Sequence, residues 1–236
     1  MDKTVAIMQP YFLPYIGYWQ LFNIVDEFVV YNNIKYTKKG WINRNRYLCG
    51  HESRYFTLQL ENDSDSLDIR ERTIAVTFSK NKILNQIRAA YQSAPCFDES
   101  YELLERIMEC KDRNLFGFIF NSLSLTANHI GIKTKLTISS RIGIDHTLKS
   151  EKRVISICKA LGARKYINPI GGINLYDGNE FLSNGIELNF LKTDLIEYNQ
   201  NNGAFVPSLS ILDVLMFNGR ENIKKFLGSM MLLECS

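Results

Sequence analysis

The chain has 236 residues, 45% of them hydrophobic and 22% charged, with a formal net charge of +3. That length buries a sizeable core as one large domain or two small ones, and the composition is that of an ordinary soluble protein. So small a charge excludes the strong basic face that nucleic-acid binding asks for, and no DNA partner is expected, although Lys38, Lys39, Arg44 and Arg46 form one local basic cluster.

TVAIM at 4–8 reads as a short buried strand. It runs into QPYFLPY, where Pro10 and Pro14 each fix φ and remove a backbone donor, so a rigid loop is predicted. Ile16, Trp19, Phe22 and Ile24 predict a helix from Tyr15 to Val25, and a second strand begins near Glu27. Strand, loop, helix and strand in that succession form a βαβ unit, which favours a parallel sheet. RYLC, YFTLQL and IAVTF predict strands within 41–79, with NDSDSLD as a polar loop. A helix is predicted from Lys80 to Tyr91 with Pro95 as its stop, then a longer helical region from Glu99 to His129. KLTISS is a strand ending in two serines. Glu151 to Leu161 is a helix stopped by Gly162. KYINP is a strand followed by the turn IGGINLYD, ELNFLKT is a strand, and Ser210 to Asn218 is a helix ending at Gly219. With no internal repeat or linker, the expectation is one α/β domain over 1–236, a Rossmann-like, mostly parallel sheet with a helical insertion at about 80–130.

Five scattered cysteines without a CxxC pair predict reduced thiols in a cytoplasmic protein. His51, His129 and His146 lack ligand-like spacing, so no metal site is expected. The apolar run VAIM is too short for a signal peptide, and no stretch approaches the ~20 apolar residues of a membrane span. Neither export nor membrane insertion is expected.

Ligands of open α/β sheets bind outside the carboxyl ends of the strands. The loops predicted there are QPYFLPYIGY, NNIKYTKKGWINRNR, SSRIGIDHTLKS and NPIGGINLYDG, dense in planar hydrogen-bonding side chains. The first offers Gln9, Tyr11, Tyr15, Gly17 and Tyr18, though the three tyrosines can equally cover the sheet edge. In the second, Trp41 supplies a flat face. Alternation along a strand sends Asn43 and Asn45 one way and Arg44 and Arg46 the other. One side then suits sugar or amide groups and the other phosphate. Ser139 can serve as a strand-end cap or a ligand contact. In the last loop Asn168, Tyr176 and the pair Gly171 and Gly172 follow a strand, and paired glycines can expose backbone N–H groups to an anion. Ser208 or Ser210 opens the final helix, as an N-cap or a phosphate contact. Asp213 in its first turn is placed to orient an amine or hold a metal ion. Cys49 and His51 share a strand face, but no third group orients them.

The first segment resembles the HIGH-type nucleotidyltransferase superfamily, with Tyr15-Ile16-Gly17-Tyr18 where the HxGH element would stand. That likeness implies a HUP-type sheet and a phosphate near Gly17 at the helix N-terminus. Phenols replace both imidazoles, and a phenol carries no positive charge at pH 7. Taken together, QPYFLPYIGYWQL, KKGWINRNR, YINPIGGINLYD and VPSLSILDVLMFNG resemble the WbqC-like protein family nearly end to end. The resemblance implies a place in O-antigen and other surface-polysaccharide (lipopolysaccharide) gene clusters. It further implies N-acylation, such as glycyl or aminoacyl transfer, of the amine of a nucleotide-linked amino sugar. The expected partners are that sugar nucleotide and an acyl or aminoacyl donor, with ATP and Mg²⁺ as cofactors if the acid is activated as an adenylate. Under that scheme Lys39, Arg44 and Asp213 are the catalytic candidates. Gln9, Asn43, Asn45 and Asn168 position substrate, and Tyr15, Gly17, Tyr18 and Ser210 meet phosphate. A homo-oligomer is compatible with it. The alternatives are a nucleotidyl- or sugar-transferase of the same pathway and a non-catalytic sugar-nucleotide-binding protein.

Overall fold

The strands are apolar on both sides, and that dictates the layering. In β1 (Thr4–Met8) Val5 and Ile7 enter one apolar cluster and Ala6 the other; in β2 (Glu27–Val30) Phe28 and Val30 oppose Val29 in the same way. A sheet buried on both faces needs a layer on each side. The computed structural model, which describes residues 2–201 and 203–235, shows that arrangement.

A six-stranded sheet runs in the order β5-β2-β1-β6-β7-β8, where β5 is Lys135–Ile138, β6 Lys165–Pro169, β7 Glu187–Thr193 and β8 Met230–Glu234. The first five are parallel and β8 is an antiparallel edge. This is the mostly parallel, Rossmann-like α/β sheet expected from the sequence. One face carries α5 (Ser150–Ala160) and α6 (Gly178–Ser183). The other carries α1 (Ile16–Asn23), α7 (Ile211–Phe217) and α8 (Arg220–Gly228). Between β2 and β5 the chain leaves the sheet to form a separate hairpin, β3 (Arg44–Cys49) and β4 (Glu52–Thr57), then α2 (Lys80–Tyr91), α3 (Phe97–Met108) and α4 (Leu115–His129). It re-enters at the outer edge and crosses back through α5 to β6, so the strand order reverses between β1 and β6, where such folds bind ligands.

Three local expectations change. IAVTF is not a strand: Ile74 makes an isolated bridge to Leu60, and Ile74 N and Ala75 N donate to Arg113 O (2.8 Å) and Gln59 O (2.8 Å), tying the segment as a loop. The long helical region is two helices. Asn114 caps α4 by accepting from Gly117 N at 3.0 Å, while the Arg113 guanidinium is drawn off to Ile74 O. Strand β8 escaped notice because MMLLE has no alternation, and Met231, Leu232 and Leu233 lie exposed on an edge strand. No helix among the described residues is long and apolar enough to cross a membrane.

Candidate active site at the carboxyl edge

The loop after β1 is rigid because the carbonyls of Gln9 and of Phe12 to Tyr15 and the Phe12 N–H are all held. Leu13 sits in the left-handed region (φ 47°), a strained conformation that surrounding bonds must enforce. Asn45 Nδ2 donates to Phe12 O (3.1 Å) and Leu13 O (2.8 Å), and Ser210 Oγ also donates to Leu13 O (2.8 Å). Pro14 O accepts from Trp19 Nε1 and Ile211 N, both at 3.0 Å, and Tyr18 Oη donates to Gln9 O at 3.1 Å. Phe12 N donates to Ile42 O (3.1 Å) and Ser210 N to Arg46 O (2.9 Å). Three segments far apart in the chain, around residues 11–15, 41–46 and 207–211, are thereby locked together.

Between them lies a cleft of about 240 Å³ lined by Tyr11, Pro14, Tyr15, Trp41, Asn45, Arg46 and Ser208. A second hollow of similar volume shares Tyr15 and Ser208 as its wall and continues along Thr193, Asp194, Leu195, Tyr198 and Phe205. Trp41 is 39% exposed and Tyr15 37%, large flat faces left open at the mouth. Trp41 stacks on Tyr55 (6.3 Å between centroids, 25° between planes). The Arg46 guanidinium lies 5.6 Å over Trp41 and that of Arg44 4.5 Å over Tyr55, giving a cation–aromatic ladder. Arg46 Nη2 donates to Ser208 O (3.0 Å), whereas its buried Nε has no partner. Burial pushes the Tyr11 and Tyr15 phenols above their usual range, so both are neutral hydrogen-bonding groups at pH 7.

The residues expected to form one site divide into several groups. Tyr11, Tyr15, Trp41, Asn45 and Ser208 line the cleft. Ser210 and Asn43 stand behind it. Ser210 caps α7 through Leu212 N, and Asn43 accepts from Tyr36 Oη (2.8 Å) and donates to Leu58 O (2.9 Å). Asp213 is fully buried, accepting from Tyr91 Oη (2.8 Å), Tyr198 Oη (2.6 Å) and Gln200 Nε2 (2.6 Å). Arg44 folds back on the carbonyls of Gly40 and Lys39, and Lys39 itself is exposed with φ 60°. Tyr18 is buried, and Gln9 is half-buried with its carbonyl spent on Tyr18. Ser139, Asn168, Gly171, Gly172 and Tyr176 lie outside the cleft lining. Ser139 bridges Asn32 and Asn33, and Asn168 Nδ2 donates to Tyr166 Oη at 2.8 Å. Tyr176 meets Tyr166 edge-on, a Cβ on Gly172 would come within 2.6 Å of Asn168 Oδ1, and Gly171 is open to solvent. Several lining residues were missed as site residues, Arg46 and Asp194 being the charged ones. Arg46 lay in the basic cluster and shares the outward side of its strand with Arg44, while Asp194, just past β7, carried no signal in the sequence.

The residues present do not fit a magnesium–triphosphate group at the position of the HxGH element. A Cβ on Gly17 would come within 2.5 Å of Thr193 Oγ1 and of the Tyr15 ring, so the approach to the α1 N-terminus is occupied by side chains. The Tyr18 hydroxyl is buried and committed, and both Asp213 oxygens already accept hydrogen bonds from the protein. Among the described residues no cluster of three or more His, Cys, Asp or Glu side chains is placed to hold a metal.

The WbqC-like protein family model matches residues 9–225, a span that includes every segment of the cleft. The chain belongs to the WbqC-like protein family. It is similar to "Uncharacterized protein Rv1507c" of Mycobacterium tuberculosis, 30% identical over 224 residues that cover 93% of this chain and 95% of that protein. No solved structure matches. Membership of the WbqC-like family points to a role in surface-polysaccharide gene clusters.

Proposed function

We propose that this WbqC-like chain is a cytoplasmic acyltransferase that forms an amide on the amine of a nucleotide-linked amino sugar, drawing on a donor already activated as a thioester or an ester. The observation that carries it is the convergence of Trp41, Tyr15, Tyr11 and Arg46 on one preformed cleft at the carboxyl edge. Aromatic faces stack on bases and on the C–H faces of sugar rings, and a guanidinium with an unpartnered Nε suits a phosphate. In the adjoining hollow Asp194 is the carboxylate among the lining residues, placed to accept a hydrogen bond from the neutral sugar amine. The transfer balances without a metal: the neutral amine attacks the acyl carbon, the C–N bond forms, the bond to the thiol or alkoxide breaks, and the amine proton leaves on that group. The protein's contribution is to hold both reactants together and keep water out. An adenylate route through ATP and Mg²⁺ is disfavoured by the closed α1 N-terminus described above.

A second reading, a non-catalytic sugar-nucleotide-binding protein, is favoured by one feature: the first cleft is lined by no carboxylate, imidazole or thiol. Mass spectrometry decides between them. The chain is incubated with a dTDP-amino sugar and, in separate reactions, an acyl-CoA, a glycyl-tRNA, or ATP with glycine. An added acyl or glycyl mass with an activated donor, lost in Arg46→Ala and reduced in Asp194→Asn, supports the transferase. Binding without a mass change for any donor supports the binder. Pyrophosphate release with a new nucleotide sugar overturns both in favour of nucleotidyl transfer.

A further inference from the structure

A second polar cluster stands on the α5 side of the same carboxyl edge, and its charge is unbalanced. Arg153 is 9% exposed, and its Nε is buried with no partner. The guanidinium lies 5.0 Å over the Tyr31 ring, and its one hydrogen-bond partner among the described residues is His146 Nδ1, 3.4 Å from Nη2. That imidazole cannot neutralise it. Nδ1 is also 3.0 Å from Asn33 Nδ2, so two donors converge on it and it must accept, while Nε2 donates to Ile142 O at 3.1 Å. The ring nitrogen facing the guanidinium thus acts as an acceptor and brings no negative charge to it.

Nearby acids are otherwise engaged. Glu151 accepts from Asp177 N (2.7 Å), Asp68 pairs with Arg70 (3.6 Å), and no ion pair of Arg153 exists among the described residues. Burial raises the Tyr31 phenol, so it too is neutral. The helix adds to the imbalance. Arg153 is the fourth residue of α5, and side chains on a helix lean toward its N-terminus, the positive end of the macrodipole. The first-turn N–H groups there have no intrahelical acceptor, and Lys149 provides no side-chain cap. A buried cation at the positive end of a helix, paired with no carboxylate among the described residues and offset only by Glu151 in the same first turn and the more distant Asp68, lacks the close counter-charge that buried charges require.

We infer that Arg153, with Tyr31 and the first turn of α5, forms a second anion-binding subsite that takes a phosphate group. It is separate from the Arg46 cleft, and it stands whether or not the chain transfers an acyl group. The probe is inorganic pyrophosphate, titrated calorimetrically into the full chain, wild type, Arg153→Gln and Arg46→Gln. Saturable binding that weakens at least tenfold in Arg153→Gln and less than threefold in Arg46→Gln is expected. Equal affinity in wild type and Arg153→Gln overturns the assignment, as does an absence of saturable binding in the wild type. Should Arg153→Gln fail to fold, the wild-type ¹⁵N guanidinium spectrum decides, with the Arg153 Nε–H resonance assigned by its loss in Arg153→Lys. That resonance should move on adding pyrophosphate, and a resonance unmoved at saturation refutes the subsite.

Discussion

Replacing Asn45 with Ala removes the side chain that most directly shapes the cleft. Its Nδ2 holds Phe12 O and Leu13 O, and its Oδ1 accepts from Arg46 N at 2.8 Å. Leu13 O retains Ser210 Oγ, but Phe12 O is left buried without its amide partner. Two neutral hydrogen bonds at about 1 kcal/mol each, plus about 1–2 kcal/mol for a stranded carbonyl, give a loss of roughly 3–4 kcal/mol. Against a typical total of about 5–15 kcal/mol that is large, and at an m value of ~3 kcal/mol/M it moves the urea midpoint down by about 1 M. Equilibrium urea unfolding followed by tryptophan fluorescence measures it. Ser210→Ala should cost about 1–2 kcal/mol. The double variant should deviate from additivity, because both side chains meet at Leu13 O. An Asn45→Ala protein within ~0.5 kcal/mol of wild type would show that the left-handed Leu13 turn is held by something else, and the account of a preformed cleft would fail.

Gly17→Ala should destabilise by about 1–3 kcal/mol, since its methyl group must displace Thr193 Oγ1 and the Tyr15 ring. A crystal structure of the variant should show Tyr15 moved; an unmoved ring in a fully stable protein refutes the contact. Burial holds the Asp213 carboxyl above its usual range against the opposing pull of Tyr198, Tyr91 and Gln200. The folded chain thus keeps that proton to higher pH than the unfolded chain. Stability relative to Asp213→Asn should fall as pH rises from ~4 through the folded value and then level off, and a rise across that window contradicts it. Glu27 behaves oppositely. Burial pushes its carboxyl up, but Lys3 (2.8 Å), Thr137 and Lys135 (3.0 Å) together outweigh burial and lower it. Glu27→Gln should cost roughly 1–2 kcal/mol at pH 7, discounted for two partly exposed lysines. That deficit should vanish as pH falls below ~4 through the folded value; a deficit unchanged at pH 2 refutes the ion pairs as its source.

The sheet was legible because its strands bury both faces and so read as short apolar runs with turn residues after them. TVAIM, KYINP and ELNFLKT occupy the expected residues to the position. Strand β8 was not legible, because its exposed leucines owe their place to pairing with β7 rather than to any pattern of their own. Within the site, sequence pointed to segments better than to side chains. The loop after β1, the KKGWINRNR stretch and the start of α7 do converge. Yet Asn43, Ser210 and Asp213 point inward and supply hydrogen bonds that hold the segments together, while Arg46 faces the cleft. Polar side chains on a strand or helix look alike in sequence whether they serve a ligand or a buried backbone carbonyl. The fold alone shows which groups are left unsatisfied; at Arg46 and Arg153, as at Arg72, that is the guanidinium Nε, and only the first two stand at the carboxyl edge of the sheet.

Calorimetric titration of a dTDP-amino sugar into wild type and Trp41→Ala tests most directly whether the cleft is the ligand site. Trp41 is exposed and its side chain makes no hydrogen bond among the described residues, so its removal should leave the fold intact. Loss of a stacking face worth about 1–3 kcal/mol should weaken binding roughly 5- to 150-fold. Equal affinity in the two proteins would place the ligand elsewhere and contradict the account.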